Sequence, residues 1–185
     1  SLPNDDLVSG MQEAGIDLLS SHGLDRYEVS AFSGPDQESR HNLNYWLFGD
    51  YLGIGAGAHG KITLPEENRI LRTRKVRQPD NYLQQENSVA EVAKVQTSEL
   101  PLEFMMNVLR LSKGCDQVLF EERTGLALQS IEPVLASLRD KSLLRNDRLQ
   151  ATSKGFLFLD TLLTEFTKFM PCDNHTLERI EVNSR

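Results

Sequence analysis

Cysteine is scarce in this 185-residue chain, with Cys115 and Cys172 the only two. That is too few for a disulfide-held scaffold, and two free thiols fit a reducing compartment. Long apolar runs are missing as well. No stretch approaches the ~18 to 20 residues needed to span a bilayer. The amino end, Ser1-Leu2-Pro3-Asn4-Asp5-Asp6, is acidic and polar where a secretory leader would be basic and then apolar. The expectation is a cytoplasmic protein. Positive charge is in deficit, 20 Lys plus Arg against 27 Asp plus Glu for a net −7, which excludes a general attraction to nucleic acid or anionic lipid. Any anion site must be local. There is no internal repeat and no low-complexity segment. With 39% hydrophobic and 25% charged residues, the composition excludes fibrous and disordered classes and leaves room for one sizeable core or two small ones.

Leu7, Met11, Ala14 and Leu18 recur at helical spacing and share one face of a helix over about residues 5 to 21. Asn4 caps it, Asp5 and Asp6 suit the positive end of its dipole, and Gly23 supplies a left-handed stop. Tyr27-Glu28-Val29-Ser30-Ala31-Phe32 then reads as a short strand before a Ser-Gly-Pro turn. A helix feeding a strand is one crossover of a parallel α/β sheet. A lone crossover cannot bury both faces of its strand, and no earlier strand precedes it, so the chain reads as the carboxy-terminal piece of something longer. Strands are also expected over residues 51 to 60 and over the basic run from Arg69 to Lys75. A short helix is expected over residues 78 to 85, followed by a helix or linking segment over 86 to 97.

From Ser98 the pattern becomes helical. Ser98 caps a helix carrying Leu102, Met105 and Leu109, a second runs over about residues 116 to 123 and stops at Gly125, and Ser130 caps a third with Pro133 in its first turn. A polar turn at Asn146-Asp147 joins two short strands, and Ser153 opens a last helix carrying Phe156, Leu159, Leu163 and Phe166. That order is the order of a winged helix. The expected fold class is therefore α+β: the last αβ crossover of a partial α/β barrel over residues 1 to 97, a small winged-helix-like domain over 98 to 170, and a polar, frayed tail over 171 to 185.

The densest chemistry lies in Arg40-His41-Asn42-Leu43-Asn44-Tyr45-Trp46-Leu47-Phe48-Gly49-Asp50, which holds the only tryptophan. In a helix, His41 and Tyr45 sit one turn apart and Asn42 and Trp46 likewise. An imidazole beside aromatic planes suits a flat conjugated ligand whose metal needs an axial donor; a core aromatic cluster with a hydrogen-bonded histidine is the competing reading. The glycines of Gly53-Ile54-Gly55-Ala56-Gly57-Ala58-His59-Gly60 let a ligand lie against bare backbone, or let a sheet pack closely on a helix. Arg69, Arg72, Arg74, Lys75 and Arg77 form a cluster able to receive carboxylates or phosphates, or a strand edge kept basic against aggregation. Alternation puts Arg72 and Arg74 on one face. Cys172 and His175 have the spacing of half a zinc site, but no second pair accompanies them.

The segment from His41 to Trp46 and on through Phe48-Gly49-Asp50-Tyr51-Leu52-Gly53 to Gly60 resembles the HemW family, the heme chaperones related to oxygen-independent coproporphyrinogen III oxidase. Arg72-Thr73-Arg74-Lys75, Glu99-Leu100-Pro101-Leu102-Glu103-Phe104-Met105 and Phe120-Glu121-Glu122-Arg123-Thr124-Gly125 extend the likeness over nearly all of residues 5 to 169. The resemblance implies a radical-SAM parent whose incomplete α/β barrel holds a [4Fe-4S] cluster and S-adenosylmethionine. The family's C-x3-C-x2-C cluster motif is absent here, so this chain by itself is not expected to hold the cluster or act as an enzyme, and no residue is assigned a catalytic role. The resemblance makes His41 the heme-binding histidine and iron ligand, with Asn42, Tyr45 and Trp46 beside it. It places Gly55, Ala56, Gly57 and Ala58 near the adenosylmethionine site.

Three functions follow from these readings. The leading one is a heme chaperone that binds heme and passes it to an acceptor protein, with Arg72 and Arg74 meeting the propionates. The second is porphyrin biosynthesis by an oxidase of the coproporphyrinogen type. The third is a winged-helix module for nucleic acid or a protein partner. DNA is disfavoured, because residues 130 to 144 carry Glu132 and Asp140 against Arg139 and Lys141. A strand deprived of its sheet should leave a free edge and apolar surface, so the fragment is expected to form a homodimer, swap elements or be poorly ordered there.

Overall fold

The first turn of the chain is set by one side chain. The Asn4 amide oxygen accepts a hydrogen bond from the Leu7 N–H at 3.0 Å and caps α1 (Asp5–Ser21), as the sequence indicates. The helix ends at Gly23, whose φ of +76° lets its N–H bond back to the Ser20 carbonyl. The computed structural model describes residues 3–169 and 178–179 and has an α+β architecture. The expected tail falls outside the described residues except for Glu178 and Arg179, and so do Cys172 and His175.

The strand expected over residues 27 to 32 is broken. β1 (Asp25–Glu28) and β2 (Ala31–Ser33) instead pair antiparallel as a tight hairpin. The buried Glu28 carboxylate causes the break, because its Oε1 accepts from both the N–H and the hydroxyl of Ser30, at 3.0 and 2.9 Å, and bends the chain at Val29. Next come α2 (Arg40–Trp46), β3 (His59–Leu64), β4 (Arg69–Lys75), α3 (Pro79–Gln84) and β5 (Val89–Lys94). With β6 (Glu178–Arg179), these strands form an antiparallel sheet in the order β3-β4-β5-β6. β4 matches its expected bounds.

Two segments of this half differ from expectation. Residues 52 to 58 are not strand: Gly55 and Gly57 take φ of +107° and +72°, so the chain turns and clasps the end of β4 through Gly57 N–H to Val76 O and Lys75 N–H to Ala58 O. Residues 89 to 94, whose sequence suits a helix or a linking segment, form β5, and its Ala93 and the following Val95 face the core.

The second half follows the expected order: α4 (Leu100–Val108), α5 (Val118–Thr124), α6 (Glu132–Asp140), α7 (Ser153–Leu157) and α8 (Leu159–Thr164), then a 3-10 turn at Glu165–Phe169. Gly125 stops α5 with φ +71°. The last helix is divided at Phe158, which leaves the helical region with φ −113° and ψ 37°. Around Asn146-Asp147 the pairing is reduced to single bridges, Leu144 with Ala151 and Cys115 with Leu149. Phe104, Phe120, Leu135, Leu138, Leu149, Leu162 and Phe166 are fully buried. Phe104 lies edge-on to both Phe48, at 5.6 Å, and Phe120, at 5.3 Å. The cluster is continuous across residue 97, because Phe48, Ile70 and Val95 belong to it. Ser112 also ties the halves together, donating from its N–H to Tyr27 O and from its hydroxyl to Arg26 O.

Candidate functional site

Ser39 caps α2 by accepting from the Asn42 N–H, and the helix sorts its motif into two rows. On one row the His41 ring meets Tyr45 edge-on, with centroids 4.8 Å apart and planes at 70°. Tyr45 in turn packs against Tyr51, with centroids 4.1 Å apart and planes tilted by 40°. His41 is exposed while Tyr45 and Tyr51 are half-buried, so the three rings form an open wall ending in an accessible imidazole. This is not the core aromatic cluster of the competing reading. The other row faces inward. Asn42 Nδ2 donates to the Tyr27 hydroxyl at 3.0 Å, and the Arg110 guanidinium lies 4.3 Å from the centre of the Trp46 ring. Trp46 Nε1 and Arg110 Nε are both buried without a hydrogen-bond partner.

Arg72 and Arg74 already grip carboxylates. Arg72 Nη1 donates to the Tyr51 hydroxyl at 3.0 Å while its Nη2 pairs with Glu103, and Arg74 pairs with Glu91 at 2.7 Å. Burial pushes the Tyr51 phenol up from its ordinary pKa, an effect the Arg72 charge partly offsets. Arg72 therefore joins the ring wall through Tyr51. The turn containing Gly55, Ala56, Gly57 and Ala58 is tied to α3, with Gly55 N–H donating to the Tyr82 hydroxyl at 3.1 Å. Close approach explains its flanking glycines. A Cβ on Gly53 would lie 2.3 Å from His59 O, and one on Gly60 would lie 2.5 Å from Thr73 Oγ1. On either side of Gly53, Leu52 and Ile54 project outward, 75% and 88% exposed.

Lys61 belongs to none of the sequence motifs, yet from β3 its side chain reaches the loop that brings Tyr45 and Tyr51 together. It is 1% exposed, and its Nζ donates to Phe48 O at 3.0 Å, Asp50 Oδ1 at 2.8 Å and Thr63 Oγ1 at 3.2 Å. The same ammonium lies 4.3 Å from the Phe48 ring centre. Burial lowers the Lys61 pKa, against the opposing pull of Asp50. For Asp50, burial alone would raise the pKa. Hydrogen bonds from Lys61 and from the Thr63 N–H and hydroxyl, with the Lys61 charge, outweigh it and hold the carboxyl below its ordinary value. The available signal was a lysine inside a strand, eleven residues after an aspartate that follows a glycine.

Residues 95–158 match the family described as the HemN C-terminal domain. Over 167 residues the chain is 42% identical to the heme chaperone HemW of Escherichia coli K12, covering 89% of this chain and 44% of that protein. It is 39% identical to the heme chaperone HemW of Haemophilus influenzae, covering 89% and 43%, and 32% identical to that of Bacillus subtilis, covering 78% and 38%. The solved structure of coproporphyrinogen III oxidase (HemN) from Escherichia coli, described as a radical SAM enzyme, has a like fold. Its TM-score is 0.62 over 91% of this chain and 43% of that one, at 16% identity. The chain thus spans less than half the length of the relatives it matches.

Proposed function

We propose that this chain, which is similar to HemW heme chaperones over most of its length, supplies the surface on which such a chaperone holds its cargo, with His41 as the axial ligand. The observation carrying this reading is the exposed His41 imidazole edge-on to Tyr45, which itself packs against the tilted ring of Tyr51. Heme brings four in-plane nitrogens of its own, so one accessible imidazole completes what a protein must provide, and flat rings alongside favour a flat macrocycle. Among the described residues no three His, Cys, Asp or Glu side chains converge to build a metal site from the protein alone. Asn42 and Trp46 support the wall from its inner side. A propionate would displace Glu91 at Arg74, whereas Arg72 is committed to bracing Tyr51. Delivery to an acceptor protein completes the role.

The finer fold reading belongs with this proposal. α4, α5, α6 and the turn around Asn146-Asp147 have winged-helix order, and α1 with β1 represents the last crossover of a barrel. In a longer protein the turn at Gly55, Ala56, Gly57 and Ala58 would approach S-adenosylmethionine. An iron–sulfur cluster does not fit the described residues. Cys115 is buried and its thiol is pushed up to about 12, the opposite of the thiolate a cluster requires. An oxidase reading draws on the fold likeness to HemN. Decarboxylation of coproporphyrinogen III by a full-length protein would favour it. For a DNA-reading role, α6 offers little, since Arg139 is already paired with Glu132 at 2.6 Å.

Titrating hemin into the protein and following the Soret band tests the reading. Saturable binding with a histidine-ligated spectrum is expected, and His41→Ala should weaken it at least tenfold. An unchanged spectrum and affinity in His41→Ala would remove that residue from the role.

A further inference from the structure

The ring wall depends on a sharp reversal. Between Tyr45 at the end of α2 and Tyr51, the chain must fold back within a few residues so that the two rings meet with centroids 4.1 Å apart. Phe48 makes the turn in a left-handed conformation, φ +57°, which a non-glycine residue rarely adopts. Gly49 follows because a Cβ there would lie 2.1 Å from Asn44 Oδ1, and Asn44 Nδ2 closes the turn by donating to Asp50 O at 2.9 Å. A reversal of this kind persists only when its surroundings hold it.

We propose that Lys61 is the positioning residue that holds this reversal, and through it the Tyr45–Tyr51 ring pair presented beside His41. The inference rests on the heme-binding reading above. The side chain of Lys61 binds Phe48 O and the Asp50 carboxylate on one side of the turn, while its main chain pairs with Tyr51 in both directions. Tyr51 N–H donates to Lys61 O at 3.0 Å, and Lys61 N–H donates to Tyr51 O at 2.9 Å. One residue thereby ties the exit of α2, the second ring-bearing tyrosine and β3. Thr63 doubles the grip, its hydroxyl and N–H donating to Asp50 at 2.7 and 2.8 Å. Burying an ammonium is costly, and an apolar side chain of similar length would fill the same space with less penalty. What the apolar side chain cannot supply is three directed donors. Lys61 acts on His41 and Tyr45 through the turn, by way of Phe48 O, Asp50 and Tyr51.

Lys61→Met separates filling from positioning. The expected result is a folded protein whose core methyl resonances match the wild type, with the nuclear Overhauser contacts between the Tyr45 and Tyr51 rings lost. Hemin affinity should fall at least tenfold, with loss of the histidine-ligated Soret signature. Leu135→Ala serves as a control for instability alone and should leave the ring contacts in place. If Lys61→Met does not fold, the same readouts are taken on Lys61→Met/Asp50→Asn, which leaves no charge unpaired. Retention of the Tyr45–Tyr51 contacts in the folded variant overturns the proposal whatever hemin does. A wild type that binds no hemin through His41 overturns the functional reading instead, and the ring contacts then decide the role of Lys61 by themselves.

Discussion

α1 and α4 both carry apolar residues at helical spacing, and the structure treats them in opposite ways. On α4, Phe104, Met105 and Val108 are fully buried, and Phe104 fills the space between Phe48 and Phe120. On α1, Leu7, Met11 and Leu18 stand 56%, 62% and 61% exposed, and the helix touches its neighbours through the half-buried Ile16 and Leu19. Periodicity decides which residues share a face. Only tertiary neighbours decide whether that face is covered, and each covered large side chain contributes roughly 1.5 to 3 kcal/mol. The long helix therefore relies on its cap and its stop, and the short one on the core.

The largest test of this contrast pairs Phe104→Ala with Met11→Ala in urea denaturation. Phe104→Ala should cost about 3 to 5 kcal/mol, and Met11→Ala should stay within about 0.5 kcal/mol. Equal costs would break the comparison. Glycines sharpen it at the next level. Gly114 has φ +54° and a Cβ there would lie 2.1 Å from Leu149 O, so Gly114→Ala should lower the melting temperature by an amount corresponding to about 1 to 3 kcal/mol. Gly10 and Gly15 on α1 face open space, and replacing either with alanine should stabilise the helix by up to about 1 kcal/mol. A destabilised Gly15→Ala protein would reveal cover on α1. The smallest effect is the pH dependence that Asp50 contributes, apart from the constant cost of leaving Lys61 unpaired in its variant. Because the folded carboxyl of Asp50 lies below its ordinary value of 3.8, its contribution is complete above that value and is lost as pH falls through the lowered folded value. Asp50→Asn should flatten that part of an acid-unfolding profile, and an unaltered profile would remove Asp50 from it.

Local signals account for what the sequence made legible. Asn4 and Gly23 marked both ends of α1, Gly125 marked the end of α5, and the acid-free basic run from Arg69 to Lys75 marked β4. β5 was obscured because Val89, Val92 and Ala93 fit a helical period as well as Ala93 and Val95 fit a strand. The break at Val29 depended on where the Glu28 carboxylate turned, and the Arg110 guanidinium that holds its other oxygen lies 82 residues away. At the site, the one-turn pairing of His41 with Tyr45 was readable from spacing. Tyr51 and Lys61 were not, because both enter through a reversal whose closure needs side chains from β3 and β4. The splitting of the motif into an outer His41-Tyr45 row and an inner Asn42-Trp46 row likewise needed the neighbours that Tyr27 and Arg110 provide.

The lone indole of Trp46, roofed by Arg110 just beyond α4, gives this protein an unlabelled optical reporter of one seam. With no second tryptophan to subtract, a change in its emission maximum registers disturbance where α2 leans on the end of α4. Emission that holds steady while the rest of the chain responds would place the response elsewhere.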